Sequence, residues 1–423
     1  MSAKLVSVDG VKVKIEVVVE LSHSMLTAEE NIQQSLNAAG LMATEAALKY
    51  LDTEGTPLEI GGEIMRTKGE QPKAYQTPYG EVVINRHVYQ RSGGGATYCP
   101  LEKQARIIVT STPRFAKQVS SKLAYGAVRE VQRDLAENHG RQVAVSYIQR
   151  LSEAVASVVD LKEESWSYAP PKMETEITTV SIGLDGTCML MCEDGWREAM
   201  VGTIALYDAE GERQHTIYIG ATPEYRKTSF LERLEREIAR TKHRYPAATY
   251  VGVADGAESN WKFLNGHTSE QILDFYHASG YLGAVAKALY PNSPGQQTKW
   301  LEQSCHQLKH DQGAATQLYQ QMRKIAESAE TVDDKLAASV TYFKNHQHQM
   351  NYASYREQKY PIGSGVTEAA CKTVIKQRLC CSGMRWKQKG AAAILSLRAL
   401  VLTPVRWSQF WNKLNQYGFP VAC

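Results

Sequence analysis

The chain has 423 residues, of which 43% are apolar and 22% are charged, and its formal net charge is +3. A chain of this length is expected to form two to four folded units with substantial hydrophobic cores. No run approaches the roughly 18 apolar residues of a membrane span, and the start lacks a signal-peptide pattern, so we expect a cytoplasmic protein. The eight cysteines include no CxxC pair, which favours reduced thiols over a zinc site.

Residues 1–112 are predicted to form an α+β region. Residues 5–21 alternate as a strand or hairpin, and residues 28–51 have the apolar spacing of a helix. Strand alternation returns from residue 78 onward. The side chains expected to point inward from this helix and from the later strands are Ile32, Leu36, Leu41, Val83, Val88 and Tyr98.

Residues 113–165 predict a helix-turn-helix domain. One amphipathic helix stops near Gly140, and a second begins around Ser146. Two short helices joined by a glycine-containing turn are typical of DNA-binding domains whose second helix enters the major groove, although an ordinary helical hairpin has the same pattern. The candidate DNA contacts in this domain are Arg141, Gln149 and Arg150.

The rest of the chain predicts a mixed α/β core with a helical insertion. A linker is expected at 166–178, where two prolines are adjacent. Residues 179–297 predict three strands followed by alternating helices and strands, an order that favours a meander with parallel strands beside it. Residues 298–357 predict an all-α insertion. Residues 358–423 predict the final helix of the core, broken around Ser382-Gly383, and a helical tail.

Two aspartates follow strongly apolar runs in the predicted sheet. Asp185 follows "VSIGL", Asp255 follows "YVGVA", and each precedes a glycine. Asp-Gly is a common strand-terminating turn, so either residue alone has an ordinary structural explanation. Because ligands bind at the C-terminal ends of parallel strands, two such residues in one block favour a functional site.

Glu368 is the only carboxylate between Lys359 and Lys413, a span that contains ten basic residues. It lies at the predicted start of a helix, where the helix dipole also favours an acid. Three oxygen ligands from two strands and a helix suit Mg²⁺ or Mn²⁺, and two such ions can drive an in-line phosphoryl displacement. The surrounding basic surface would hold a nucleic-acid backbone. The candidate contacts there are Lys372, Lys376, Arg378 and Arg385.

Four stretches of the sequence together resemble a known family. They are "GLDGT", "VADGAESNW", "DFYH" and "PIGSGVTEAACKTVIKQRLCCSGMRW". The set is similar to the DDE transposases of bacterial insertion sequences, the ISKra type in particular, and more widely to Mutator-like and hAT-like transposases. The resemblance covers roughly Thr179 to Leu402. It implies an α/β, RNase H-like mixed-sheet core interrupted by an all-α insertion.

The resemblance also implies a chemistry. Asp185, Asp255 and Glu368 would bind two Mg²⁺ or Mn²⁺ ions, and His277 would lie near the scissile phosphate, although a histidine in a core or helix cap is the open alternative. The implied partners are double-stranded DNA, as terminal inverted repeats and as target, and at least one further copy of the chain. The implied setting is the bacterial cytoplasm at the nucleoid, with no membrane. An RNase H-like nuclease without strand transfer and a non-catalytic DNA-binding protein remain as alternatives.

Overall fold

The computed structural model describes residues 3–328 and 334–420. The chain divides into two compact units. The first comprises Met1–Tyr168 together with Arg406–Cys423, and the second comprises Ala169–Val405. The division after residue 168 falls inside the stretch predicted as a linker. Within the described residues no single helix is long and apolar enough to cross a membrane. The consecutive helices Gln388–Leu402 and Arg406–Tyr417 together reach the length and apolar composition of a membrane span, but they are bent by 108°.

The first unit contains two small antiparallel sheets and several helices. Its elements are β1 (Ala3–Asp9), β2 (Lys12–Val17), α1 (Met25–Tyr50), β3 (Leu58–Ile60), β4 (Glu63–Gln76), β5 (Glu81–Arg91), α2 (Pro100–Gln104), α3 (Pro113–Tyr125), α4 (Val128–His139) and α5 (Val145–Lys162). Strands β1 and β2 form a separate two-stranded ribbon, and β3, β4 and β5 form a sheet in that order. Helix α4 ends at Gly140, which adopts the left-handed conformation that glycine tolerates best.

Three sequence predictions about the first unit are wrong. Val83 is exposed, and its neighbours Val82 and Ile84 are buried instead, because successive residues of a strand point to opposite faces. On α1, Ile32 and Leu36 are exposed, whereas Leu41 packs against the core of the β4–β5 sheet. Apolar spacing along a helix therefore did not identify which part of the stripe would be covered.

The second unit contains the larger sheet and most of the remaining helices. Its elements are β6 (Thr179–Met191), β7 (Gly195–Tyr207), β8 (Arg213–Ala221), α6 (Thr228–Arg244), β9 (Thr249–Ala254), α7 (Glu258–Leu264), β10 (Glu270–Leu273), α8 (Phe275–Leu289), α9 (Pro294–His310), α10 (Ala314–Ser328), α11 (Asp334–His346), α12 (Tyr352–Glu357), α13 (Gly365–Ala370), α14 (Gln377–Leu379) and α15 (Gln388–Leu402). A π-helical turn, Cys371–Lys376, joins α13 to α14.

The five-stranded sheet of this unit is mixed. Its order is β10-β9-β6-β7-β8, with β6, β7 and β8 antiparallel and β9 and β10 added in parallel. The predicted meander with parallel strands beside it is therefore present, and the protein has a mixed α/β fold. Helices α9 to α12 occupy the predicted helical segment, of which residues 329–333 lie outside the described residues.

The C-terminal tail belongs with the first unit. Its helix α16 (Arg406–Tyr417) contacts the end of that unit through aromatic side chains, since the rings of Trp166 and Phe410 are 5.9 Å apart. Arg106 donates hydrogen bonds to the carbonyl oxygens of Asn415 and Gln416. The two hydrogen bonds of Arg106 join residues 309 and 310 positions apart, which no local pattern reveals.

Helix α13 approaches the large sheet very closely at one glycine. A Cβ atom on Gly183 of β6 would lie 2.1 Å from Oγ1 of Thr367, far inside van der Waals contact. The Thr367 hydroxyl is instead hydrogen-bonded to that of Thr203 on β7 at 2.8 Å. Gly183 therefore allows the helix that carries Glu368 to lie directly on β6 and β7.

Gly183→Ala is expected to lower the free energy of unfolding by about 1–3 kcal/mol, because the added methyl group must displace α13. Urea denaturation of the purified chain measures this difference. Gly295→Ala on α9 is the matched control, since a Cβ there meets nothing within 4 Å. A Gly183→Ala variant as stable as the control would contradict the close-approach argument.

Candidate metal centre

Asp185 and Asp255 lie side by side because of the strand register. Strands β6 and β9 are parallel, and Ile182 is paired with Gly252. Each aspartate follows its member of that pair by three residues (185 − 182 = 3 and 255 − 252 = 3). Parallel strands run in step, so the two carboxylates come next to each other just beyond the last paired residues of β6 and β9. Asp255 follows the end of β9, whereas Asp185 lies within β6, which continues to Met191.

Asp185 is half-buried, and its two hydrogen bonds do not fully offset the loss of hydration of its carboxylate. Its Oδ1 accepts a hydrogen bond from the backbone N–H of Gly186 at 2.7 Å, and its Oδ2 accepts one from Sγ of Cys371 at 3.4 Å. Burial raises the pKa of Asp185, and the negative charges of Asp255 and Glu368 raise it further against the lowering effect of the two hydrogen bonds. The three predicted carboxylates therefore interact electrostatically in the folded chain.

Asp255 is positioned by contacts from the start of helix α7 and from helix α11. Its Oδ1 accepts hydrogen bonds from the backbone N–H of Ala257 at 3.2 Å and from Nδ2 of Asn260 at 3.5 Å. Asn260 also donates to the carbonyl oxygen of Leu184 at 3.4 Å, which connects the segment after β9 to the middle of β6. The Tyr342 hydroxyl, from helix α11, donates to the backbone carbonyl of Asp255 at 2.8 Å.

Glu368 is exposed and lies in the first turn of α13. Its Oε1 accepts a hydrogen bond from Oγ of Ser364 at 2.8 Å. Nε2 of His277, on α8, is 4.0 Å from the same oxygen. His277 is itself exposed, so the structure places it beside the predicted ligand and not in a core.

The tightest group of possible metal ligands differs from the predicted one. In the described part of the chain, the set whose ligand atoms all lie within 4.8 Å of one another is Asp274, His277 and Glu368. Asp274 is fully buried and caps α8 by accepting from the His277 N–H at 2.7 Å, while its other oxygen accepts from the Ser364 N–H. Because both of its oxygens are engaged in this way, we interpret Asp274 as a structural residue that positions His277 and Ser364.

The three predicted carboxylates offer the oxygen ligands that a hard divalent cation prefers. In the described residues the predicted triad, Asp185, Asp255 and Glu368, is not among the groups whose ligand atoms all lie within 4.8 Å of one another. Its three members are joined by the electrostatic interaction that raises the pKa of Asp185. Three carboxylates are the donor type that Mg²⁺ or Mn²⁺ takes.

The predicted basic contacts of this unit separate into two groups by burial. Lys372, Lys376 and Arg385 are exposed, and the first two follow Glu368 along the π-helical turn. Arg378 is buried, and its guanidinium lies 5.3 Å from the ring centroid of Trp386. The prediction that Arg378 contacts DNA is therefore wrong, because this side chain packs inside the unit.

The predicted contacts in the first unit divide in the same way. Gln149 and Arg150 are exposed on α5. Arg141 is buried, donates to the carbonyl oxygen of Thr77 at 3.0 Å and lies 5.3 Å from the ring centroid of Phe115. The prediction that Arg141 contacts DNA is therefore wrong, since its guanidinium stabilises the turn that precedes β5.

An open pocket of about 510 Å³ adjoins Glu368. Tyr276, His277 and Tyr281 from α8 line one side, and Lys335 from α11 lies on the other. The Tyr281 ring stacks on that of Tyr342 at 3.8 Å between centroids. The pocket is large enough for a nucleotide-sized group and lies beside the candidate ligands.

Sequence reasoning missed the residues that position the carboxylates. Asn260 and Cys371 lie inside stretches that carried the family resemblance, but their residue types gave no chemical signal. Burial and the neighbouring Asp185 raise the pKa of the Cys371 thiol, so it remains a protonated donor to that aspartate. Tyr342 was hidden because it comes from the helical insertion.

Comparison with protein-family models gives no matching family, and comparison with curated proteins gives no match.

Asp185→Asn is expected to be more stable to heat than the native chain at neutral pH. The Asp185 pKa is higher in the folded chain than its ordinary value of 3.8, so ionisation above that value penalises the folded state. The advantage of the variant should therefore shrink as the pH falls towards about 4. Thermal unfolding in the presence of a chelator, across this pH range, measures the difference.

Asp194→Asn, in the exposed turn between β6 and β7, is the matched control and should change little at any pH. An Asp185→Asn variant that is less stable than the native chain at neutral pH would show that the repulsion is compensated.

Proposed function

We propose that this chain is a metal-dependent DNA transposase with an RNase H-like core. The observation that carries the proposal is the register that aligns Asp185 with Asp255, together with the electrostatic interaction of Glu368 with Asp185. The sequence resemblance to bacterial DDE transposases names the same three residues. An antiparallel meander extended by two parallel strands, with a helical segment before the third carboxylate, supports the RNase H-like assignment.

In this proposal Asp185, Asp255 and Glu368 hold two Mg²⁺ or Mn²⁺ ions. When bound, such ions activate an oxygen nucleophile and stabilise the leaving oxygen of an in-line displacement. Cys371 and Asn260 orient the two aspartates, and Ser364 orients Glu368. These hydrogen bonds would fix the orientation of the three carboxylates before substrate binds.

His277 and the adjoining pocket would contact the DNA next to the scissile phosphate. His277 is exposed beside Glu368, so its imidazole can donate to a phosphate oxygen. Lys372 and Lys376, in the π-helical turn that follows α13, would bind backbone phosphates. Water would attack the phosphorus at the element end and break its P–O3′ bond, which leaves a 3′-hydroxyl on one strand and a 5′-phosphate on the other side of the cut. That 3′-hydroxyl would attack a target phosphorus at the same site and displace the target's 3′-oxygen as a new 3′-hydroxyl, without a covalent protein–DNA intermediate.

The first unit would recognise the terminal inverted repeats. Helices α3, α4 and α5 pack together, and α5 follows a short turn after Gly140. This arrangement supports a helix-turn-helix in which α5 enters the major groove with Gln149 and Arg150 exposed.

Alanine at Asp185, Asp255 or Glu368 is expected to reduce DNA cleavage by roughly 1,000-fold or more, because each removes a ligand from the reaction centre. The measurement is cleavage of duplex DNA that carries the flanked element end, in Mg²⁺, with the product ends mapped. Binding of the same DNA should be unchanged. Glu193→Ala, in an exposed turn, is the control and should cleave normally. Full cleavage by all three variants would refute the assignment.

The same experiment separates the proposal from its nearest rival. A nuclease of this fold would cut DNA with the same carboxylates but would leave the 3′-hydroxyl unjoined. Supplying a supercoiled target plasmid and scoring joined 3′ ends distinguishes the two activities. A chain that binds the DNA without cutting or joining it would be a non-catalytic DNA-binding protein.

Lys376→Ala is expected to weaken DNA binding uniformly across sequences and to reduce the salt dependence of binding by about one released counterion.

Arg378→Ala should instead lower the free energy of unfolding by about 1–3 kcal/mol, because it empties a buried position against Trp386. Fluorescence anisotropy at several salt concentrations and urea denaturation measure the two effects. The reverse pattern would contradict the assignment of Lys376 as exposed and Arg378 as buried.

A further inference from the structure

Four cysteines lie together in the second unit, although the sequence separates them into two distant pairs. Among the described residues, two of them lie in or directly after the end of β6 and two directly after α14, namely Cys188, Cys192, Cys380 and Cys381. The two segments are joined by backbone hydrogen bonds. The Trp386 N–H donates to the carbonyl oxygen of Leu190 at 3.0 Å, and the Cys192 N–H donates to that of Trp386 at 2.9 Å. The fold therefore gathers thiols that the proposed site does not use.

Cys380 contacts Cys188 directly across these two segments. Its Sγ donates a hydrogen bond to the carbonyl oxygen of Cys188 at 3.6 Å, although 192 positions separate the residues in the chain. That oxygen lies about 2.4 Å from the Cα atom of its own residue, so the Cys380 sulfur is within about 6 Å of the Cys188 Cα atom. Because a cysteine sulfur reaches about 2.8 Å from its own Cα atom, rotation of both side chains can bring the two sulfurs to bonding distance.

The charges around Cys380 also indicate that the thiols are near one another. Burial raises the pKa of Cys380, Lys376 lowers it, and the thiols of Cys381 and Cys188 raise it further. The Cys381 thiol is directed back along its own helix, since it donates to the carbonyl oxygen of Gln377 at 3.3 Å. Cys188 is therefore the partner that the geometry favours for Cys380.

Exposure distinguishes the two thiols. Cys188 is exposed, whereas Cys380 is half-buried. Accessible thiols are the ones that oxidants in solution reach first, and a second thiol nearby can then resolve the oxidised sulfur into a disulfide. The pair thus has one accessible thiol and one resolving thiol.

We propose that Cys188 and Cys380 are an oxidation site, at which hydrogen peroxide converts the two thiols into a reversible disulfide between β6 and the segment after α14. This inference does not depend on the proposed transposase activity, because it rests on the contact between the two cysteines and on their exposure alone.

The oxidation has two steps. The Cys188 thiolate attacks one peroxide oxygen, which forms an S–O bond and breaks the O–O bond, and the departing hydroxide becomes water with the proton that the Cys188 thiol gave up. The Cys380 sulfur then attacks the Cys188 sulfur, which forms the S–S bond and releases hydroxide, and this hydroxide takes the Cys380 proton. The two sulfurs are oxidised, and hydrogen peroxide is reduced to two molecules of water.

The disulfide would connect two elements that carry the candidate site. Cys188 follows Asp185 on β6, and Cys380 follows the π-helical turn that begins with Cys371. The bond closes a loop of 192 positions. Closing so long a loop restricts the unfolded chain, so the oxidised protein is the more stable form.

Peroxide treatment of the full chain, blocking of the remaining thiols, tryptic digestion without reductant and mass spectrometry test the pairing. Peptide 173–197 should become linked to peptide 379–385 with the loss of two hydrogens, and fragment ions should place the link between Cys188 and Cys380. Cys188→Ser and Cys380→Ser should each abolish the link. The matched controls, Cys192→Ser and Cys381→Ser in the same two segments, should retain it.

Thermal unfolding gives an independent readout. The oxidised native chain should unfold about 5 °C or more above the same sample after dithiothreitol, because reduction opens the long loop. Methionine sulfoxide, another product of peroxide, is not reversed by dithiothreitol and so does not contribute to this difference. Peroxide-treated Cys380→Ser should show no such difference.

Three results would overturn the proposal. They are a native chain that forms no such link, a link that survives in either serine variant of the proposed pair, and fragment ions that place the link at Cys192 or Cys381. Because fragment ions of the native chain locate the bond without any substitution, the experiment decides the matter even where a serine variant does not fold.

Discussion

The parallel register of β6 and β9 is the constraint on which the candidate site depends. It places Asp185 and Asp255 next to each other just beyond the last paired residues of β6 and β9, where burial and like charge raise the pKa of Asp185. The fold thus concentrates negative charge at a place where hydration is reduced, which costs stability. Evolution tolerates such a cost where a bound cation or a substrate offsets it, so the repulsion itself argues for a functional role.

The third carboxylate is positioned by packing and not by strand pairing. Gly183 lets α13 lie directly on the sheet, and the hydroxyls of Thr367 and Thr203 secure the contact. Asp274 joins the start of α8 to the loop before α13, although Ser364 is 90 residues further along the chain. Glu368 and His277 therefore come together through one buried aspartate that is not itself available to substrate.

Two residues illustrate why a basic side chain near a site is weak evidence of DNA contact. Arg141 and Arg378 lie in segments rich in candidate contacts, yet both guanidiniums are buried and packed near aromatic rings. Lys376, two positions from Arg378, is exposed. The distinction follows from the helical repeat and from which neighbours cover each face, and these neighbours come from distant parts of the chain.

The sequence by itself determined the order of strands and helices in the second unit and the position of Asp255 directly after a buried strand. These features depend on local apolar periodicity, which acts over a few residues. The expectation that Asp185 also ends its strand is wrong, because β6 continues through Asp185 and Gly186 in its pairing with β7. Only the tertiary structure decided that Val82 and not Val83 points inward, that Leu36 is uncovered, and that the tail packs with the first unit. It also supplied Cys371, Asn260 and Tyr342, because contacts between residues far apart in the chain depend on packing that no local pattern encodes.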